Sequence, residues 1–459
     1  MLPGILTDTP ADVRRLWPVS PKTLPDFLAS LTPASQATAS LLNFTAKPAQ
    51  VLPLPADSDG RSNVAVGVAP RQGRWDWAQI VQGLPAGNYA FAATLEPTAA
   101  TDAVIGWSLA CYRFGLKRAD AALQPQLDVP PTADLAVATR TIEAVILARD
   151  LINTPANRLG PVELAQSLID LGRHYEAQVK TTTGDELRTG YPAIHAVGGS
   201  SSRAPRLVDL TWGDPQAPKV TLVGKGVCFD TGGLNIKSMA DMRQMKRDMG
   251  GAAVVIAVAS MVMSARLPIR LRVLVAAADN VVTGDSMRPG DVLETRAGPT
   301  IEIANTDCEG RIILADALAA ADDDAPELLI DVATLTGSAR VALGGEIGAM
   351  FSNDDALAHE LQTLSIRADD PLWAMPLWEP YRSRIEGSAG SLLNMADGAY
   401  AGAITAALFL REFVVKSRAW VHLDISAWND RARPGRPVGG EPTGARSLFE
   451  LIAQRYSGR

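Results

Sequence analysis

The chain has only 3 cysteines in 459 residues, Cys111, Cys228 and Cys308, and they form no CxxC pair. That excludes a disulfide framework and fits a reducing compartment. Its 4 histidines, His174, His195, His359 and His422, show no metal-ligand spacing, and no HExxH occurs. A zincin-type site is therefore excluded. Positive charge is short as well: 43 Lys and Arg face 50 Asp and Glu, for a net charge of −7. Without a basic stripe, no nucleic-acid partner is expected. Gly224–Lys225–Gly226 lacks the GxxxxGK[ST] spacing of a phosphate loop, which discounts nucleotide binding. The longest nearly apolar run, Ala252–Ala265, falls below the ~18 residues that span a bilayer. The first residues, Met-Leu-Pro-Gly-Ile-Leu-Thr-Asp, have neither the basic n-region nor the apolar core of a secretory signal. A cytoplasmic protein without a membrane partner is the expectation.

What is present is an ordinary globular composition, 47% hydrophobic and 20% charged, in a chain long enough for two or three domains. Strand-like runs at Ser62–Ala69 and Tyr89–Leu95 and helix-like runs at Trp75–Gln82 and Ala103–Leu116 read as a small α/β domain over residues 1–130. Three prolines mark Gln124–Pro131 as a linker. Ala133–Ile152 reads as one long helix ended by Asn153-Thr154-Pro155, a linker helix within 131–155. A larger domain follows over 156–459. Its short buried strands are Val220–Val223, Leu271–Ala276, Leu328–Val332 and Val421–Ile425, separated by helical runs such as Ala252–Ser264 and Ile312–Ala321. That alternation predicts an α/β fold with a mostly parallel sheet flanked by helices. Lys225 and Thr334 would fall just after strand ends, with Asp230 in the following loop.

Two clusters carry chemistry. In Asn305–Thr306–Asp307–Cys308–Glu309–Gly310–Arg311, alternate side chains of an extended segment share a face. Asp307, Glu309 and Arg311 would then converge, two hard oxygen ligands and one cation, which suits metal-assisted hydrolysis. The rival reading of this segment is a solvated turn. The second cluster runs from Val223 through Phe229–Lys237 to Met245–Gly251. Its glycines would loosen the backbone after a strand, where open α/β sheets place their ligands.

Together these segments resemble the leucyl aminopeptidase (cytosol aminopeptidase) family of two-metal metallopeptidases. Arg149–Asn157, Arg288–Val292, Asp331–Gly337, Gly402–Ala407 and His422–Ile425 extend the likeness from about Arg149 to near the C-terminus. The part before Pro131 carries no matching motif. The resemblance implies metal ligands at Lys225, Asp230, Asp248, Asp307 and Glu309. Asp230 and Glu309 would bridge both ions, and Lys225 and Asp248 would complete the tighter site. Asp307 would complete the more exchangeable one, also through its backbone carbonyl. Manganese or zinc is implied, with magnesium or cobalt as competitors because no ligand is His or thiolate.

By the same resemblance, Lys237 would stabilise the oxyanion and Arg311 would hold a bicarbonate acting as general base toward a metal-bridging water. The substrate's α-amine would bind near Asp248. Met245, Thr334 and Gly337 would line a pocket favouring N-terminal leucine or methionine. The implied protein is a homohexameric aminopeptidase acting on peptides. A narrow dipeptidase, for example on cysteinyl-glycine, is the first rival. A silent scaffold is the second, and the presence of Lys237, Arg311 and every ligand type speaks against it. Cys308 stands where the family often has alanine and is expected to face away from the metals.

Overall fold

The N-terminal part folds around a five-stranded sheet of β1 (Arg14–Val19), β2 (Val51–Leu54), β3 (Asn63–Gly67), β4 (Gly87–Phe91) and β5 (Pro125–Leu127), in the order β2-β3-β1-β4-β5. Only β2 and β3 pair antiparallel. Helices Arg74–Gly83 and Pro97–Cys111 bury Trp77 and Trp107 with Tyr89 and Leu16. The computed structural model describes residues 2–10, 12–56, 60, 62–69, 73–115 and 124–458. Position 116, the end expected for the second of these helices, lies outside the described residues. The supposed proline linker opens instead with β5 at the sheet edge. Pro125 is its first residue, where a missing backbone N–H costs no ladder bond. Helix Leu135–Asn153 follows.

The chain divides into two compact units, residues 1–146 with 431–438, and 147–430 with 439–459. The second is built on an eight-stranded sheet. Its strands are β6 (Gln178–Thr182), β7 (Arg206–Trp212), β8 (Lys219–Asp230), β9 (Arg270–Asn280), β12 (Leu328–Ala333), β13 (Gly348–Ser352), β14 (Leu372–Ala374) and β16 (Trp420–Asp424). They lie in the order β14-β13-β16-β12-β8-β9-β7-β6, and the central four are parallel. Two-residue strands β10 (Val292–Leu293), β11 (Ile301–Glu302) and β15 (Leu392–Leu393) form a small sheet, and β17 (Trp428–Asn429) pairs with β18 (Gly439–Gly440). Helices Gly250–Ser264 and Glu309–Asp322, both largely buried, pack on β8 and β12.

Three expectations change here. β8 runs on through Lys225 to Asp230, so Lys225 does not follow the strand and Asp230 is not in a loop. Its glycines permit close packing and do not loosen the backbone. A Cβ on Gly224 would lie 2.6 Å from Ala252 Cα, and one on Gly226 would lie 2.6 Å from the Ala276 carbonyl oxygen. Finally, Met245–Ser264, at 20 residues, is long and apolar enough to cross a membrane, which the shorter run Ala252–Ala265 did not suggest. Since 89% of its most apolar window is buried in the fold, it serves as a core helix.

Candidate metal centre

β8 presents two of the candidate groups, and a bulge makes this possible. Lys225 and Asp230 are five residues apart, which would put them on opposite faces of a regular strand. Val227 pairs with Ala278 and Phe229 with Asp279, so Cys228 is an extra residue. The partners of Lys225 and Asp230, Ala276 and Asn280, are four apart, and both side chains return to one face. The Cys228 thiol is buried, and burial pushes it well above the usual thiol range.

The loop after β8 turns through Gly232 (φ +88°) and Gly233 (φ +64°), a left-handed backbone that favours glycine. This brings Lys237 back over the strand end. Asp248 follows the short 3₁₀ turn Met245–Arg247, just before helix Gly250–Ser264. The Asp307 segment is not extended. Asp307 lies in a turn, and Glu309 begins helix Glu309–Asp322, with Cys308 at its N-cap. Positions two apart on a helix do not face each other. Arg311 accordingly makes no ion pair with the carboxylates among the described residues. Its Nη1 donates to the Asn394 carbonyl at 2.5 Å, and its buried Nε has no acceptor.

The other candidates converge. Lys225 Nζ lies 2.7 Å from Asp248 Oδ2 and 3.0 Å from Glu309 Oε1, and donates to the Thr334 carbonyl at 2.9 Å. Lys237 Nζ lies 2.8 Å from Asp230 Oδ2 and 2.5 Å from Asp307 Oδ1. Asp230, Asp307 and Glu309 each offer an oxygen within 4.8 Å of the others. A Cβ on Gly310 would lie 2.5 Å from Lys225 Cε, so any larger residue there would displace that lysine.

The electrostatics follow from burial. Four carboxylates face two ammonium groups, leaving an excess of negative charge in a buried site. Burial, then repulsion from Asp230, drives the Glu309 carboxyl well above its usual range and that of Asp307 up to about 6. Burial also raises Asp248, against the pull of Lys225. For the two lysines burial acts downward, but the surrounding carboxylates outweigh it and both stay above the ordinary lysine value. Neither oxygen of buried Glu309 has a hydrogen bond among the described residues, and the ion pair to Lys225 is made at Oε1. Such an orphaned acceptor in a cluster of hard oxygen donors fits divalent cations.

Thr334, just past β12, turns its hydroxyl to Asp248, donating to Oδ1 at 2.8 Å. Met245 is buried, and a Cβ on Gly337 would meet nothing within 4 Å. Three residues that hold the centre together had been given no role in the sequence. Asn280 Nδ2 donates to Asp230 Oδ1 at 2.8 Å and to the Thr306 carbonyl at 3.1 Å. Thr306 Oγ1 donates to the Gly232 carbonyl at 2.6 Å and accepts from the Asn235 N–H at 2.8 Å. Asn394 ties down the Ala304 and Asn305 backbone through its side chain. Asn280 and Asn394 are far from the motifs in sequence. Only the Asn-Thr-Asp run hinted at the clasp made by Thr306.

Residues 146–449 match the model of the cytosol aminopeptidase family catalytic domain, and residues 15–130 match that of the M17 aminopeptidase N-terminal domain. A probable cytosol aminopeptidase of Geobacter sulfurreducens is 38% identical over 378 residues, covering 79% of this chain and 76% of the relative. Peptidase B of Serratia proteamaculans is 40% identical over 336 residues, covering 71% of this chain and 78% of its own. Among solved structures, the cytosol aminopeptidase from Coxiella burnetii superposes with a TM-score of 0.93 at 42% identity, over 98% of this chain and 99% of that one. The bottromycin maturation enzyme BotP in complex with Mn gives 0.86 at 32% identity, over 97% and 100%.

Proposed function

This chain belongs to the cytosol aminopeptidase family of metallo-exopeptidases, and on that premise we propose that it removes N-terminal residues, preferably leucine-like ones, from peptides at the centre just described. The observation that carries this reading is the buried Glu309 carboxylate, its Oε2 without a hydrogen bond among the described residues, set close to Asp230 and Asp307.

Lys225, Asp230, Asp248, Asp307 and Glu309 would hold two divalent ions. Manganese is favoured because the similar BotP carries it and four of the five donor residues are carboxylates, with zinc as the alternative. When bound, the ions supply Lewis-acid polarisation of the scissile carbonyl and a lowered pKa for water. Lys237, held as an ammonium by its carboxylate neighbours, provides a donor for the oxyanion that develops on attack. Arg311, with a buried Nε free of acceptors, would hold a bicarbonate able to take up the proton released. The substrate's α-amine would dock beside Asp248, which restricts cleavage to the first residue. Met245, Thr334 and the open space at Gly337 would receive the first side chain. A cytosolic homohexamer is the assembly the resemblance implies, and light scattering would test it.

The deciding experiment is hydrolysis of leucine p-nitroanilide by metal-stripped protein with Mn²⁺, Zn²⁺, Co²⁺ or Mg²⁺ restored singly. Metal-dependent release supports the reading. Folded protein that binds two ions yet cleaves only one dipeptide would favour the narrow dipeptidase.

A further inference from the structure

Asp424 ends β16 and is 2% exposed. β16 pairs with β12 in parallel, and Asp424 stands opposite Ala333, the last residue of β12. Paired residues of neighbouring strands point to one face, so the Asp424 carboxylate meets the chain as it leaves β12. There it closes over the turn Thr334–Thr336. Oδ1 accepts from the Leu335 N–H at 3.0 Å and the Thr336 N–H at 3.1 Å, and Oδ2 accepts from the Thr336 hydroxyl at 2.6 Å. Among the described residues, all side-chain hydrogen bonds of Asp424 go to this turn. Capping helix Gly337–Leu343 does not require them, because Thr336 Oγ1 itself accepts from the Ala339 N–H at 3.0 Å.

The same turn grips two of the ligands assigned above. The Thr334 carbonyl accepts from Lys225 Nζ at 2.9 Å, and the Thr334 hydroxyl donates to Asp248 Oδ1 at 2.8 Å. Asp248 Oδ2 is left facing Lys225 Nζ at 2.7 Å. As a ligand Lys225 must be a neutral amine, with two N–H bonds beside its lone pair. The Thr334 carbonyl takes one of those N–H bonds and so sets where the lone pair points. Asp307 is held differently: its N–H donates to Asn305 Oδ1 at 2.8 Å, in a separate segment.

We propose that Asp424 is a positioning residue for the ion held by Lys225 and Asp248, acting through the Thr334–Thr336 turn. The proposal rests on the two-ion centre described under the proposed function. Asp424 acts at one remove, since its bonds go to the turn and not to a ligand. Its loss frees two buried N–H groups, lets the turn relax and disorients both ligands together.

The test is calorimetric titration of Mn²⁺ into metal-stripped wild type, Asp424→Ala and Asp424→Asn. Wild type should bind two ions. Asp424→Ala should weaken one binding step about 10- to 100-fold and leave the other within about twofold. The weakened step should be the one that releases the Lys225 proton, identified by its dependence on buffer ionisation enthalpy. Asp424→Asn keeps an acceptor for the two N–H groups and loses the one for the Thr336 hydroxyl, so it should weaken the same step about 3- to 10-fold. A loss shared equally by both steps marks a general structural role and overturns the inference. An unchanged profile in Asp424→Ala overturns it too, and where that variant does not fold, an unchanged Asp424→Asn does. Wild-type protein that binds no Mn²⁺ overturns the two-ion centre itself, an outcome distinct from a selective loss at one step.

Discussion

Metal loading of this site should release protons, in a number that the geometry sets. Lys225 is wedged between Asp248 and Glu309, which hold its pKa above the ordinary lysine value. At pH 7 it is an ammonium, and it can ligate only after losing that proton. It therefore contributes one proton at any pH near neutrality. Asp307, raised to about 6, is about one-tenth protonated at pH 7 and about half protonated at pH 6. Glu309 and Asp248, also raised, add to this in the same direction. The expected release is therefore at least about 1.1 protons per subunit at pH 7 and about 1.5 or more at pH 6. The sign is fixed: protons compete with cations, so affinity rises with pH, about tenfold per unit from Lys225 alone. Calorimetric titration with Mn²⁺ in buffers of different ionisation enthalpy measures the count. The Lys225→Met variant should release about one proton fewer. Metal binding with no proton release at pH 7, or an undiminished count in that variant, would refute the assignment of Lys225 as a ligand.

Replacing Lys237 with alanine should lower kcat by about 10²- to 10³-fold with metal content unchanged, since it removes one oxyanion donor. Near-normal turnover would sink that role. Thr306→Val cuts the contacts of its hydroxyl to Gly232 and Asn235, and should weaken metal affinity about 10- to 100-fold by loosening ligand positions. Asp322 accepts four hydrogen bonds, from the N–H groups of Val415, Lys416 and Ser417 and from the Ser417 hydroxyl. Asp322→Ala should cost roughly 3–5 kcal/mol in denaturant unfolding, and a loss below about 1 kcal/mol would show that water replaces those contacts. Deleting Cys228, the extra residue of the bulge, leaves Lys225 and Asp230 four positions apart in a regular strand and still on one face, so Mn²⁺ binding in calorimetry should survive the deletion as it survives Cys228→Ala. Loss of binding in the deletion but not in Cys228→Ala would disprove the bulge argument.

Much of the catalytic-type unit was legible because its central strands are buried on both faces. Such strands read as unbroken apolar runs, and Leu328–Val332 and Val421–Ile425 reappear as β12 and β16 almost unchanged. The helix start at Glu309 was not legible. Asn, Asp and Gly are turn formers, and Gly310 lowers helix propensity by about 1 kcal/mol relative to alanine. The reason for that glycine is tertiary: Lys225 occupies the space a Cβ would need. Gly224 misled for a similar reason, since its missing side chain admits a helix backbone that lies 28 residues further on at Ala252. In the N-terminal unit, β1 reads Arg-Arg-Leu-Trp-Pro-Val, with two charges and a proline, and shows no clean alternation to betray a strand. Nor could spacing alone reveal Asn280 or Asn394, which reach the centre only once the sheet is assembled.

The two lysines explain how so acidic a site folds before any cation arrives. Each lysine joins carboxylates from different segments: Lys225 links Asp248 to Glu309, and Lys237 links Asp230 to Asp307. An unpaired buried carboxylate is strongly destabilising, so these internal counter-ions make the ligand geometry tolerable in the metal-free chain. The balance is incomplete, because four carboxylates face two ammonium groups and Glu309 Oε2 has no hydrogen bond among the described residues. That residual demand is what a divalent cation can meet. Were cations to neutralise the carboxylates, Lys237 would no longer be needed as their counter-ion, and its charge would be available to the substrate carbonyl in the role proposed above. The same residue would thus support folding in one state and catalysis in the other. That double role would account for a lysine, and not a neutral hydrogen-bond donor, at position 237.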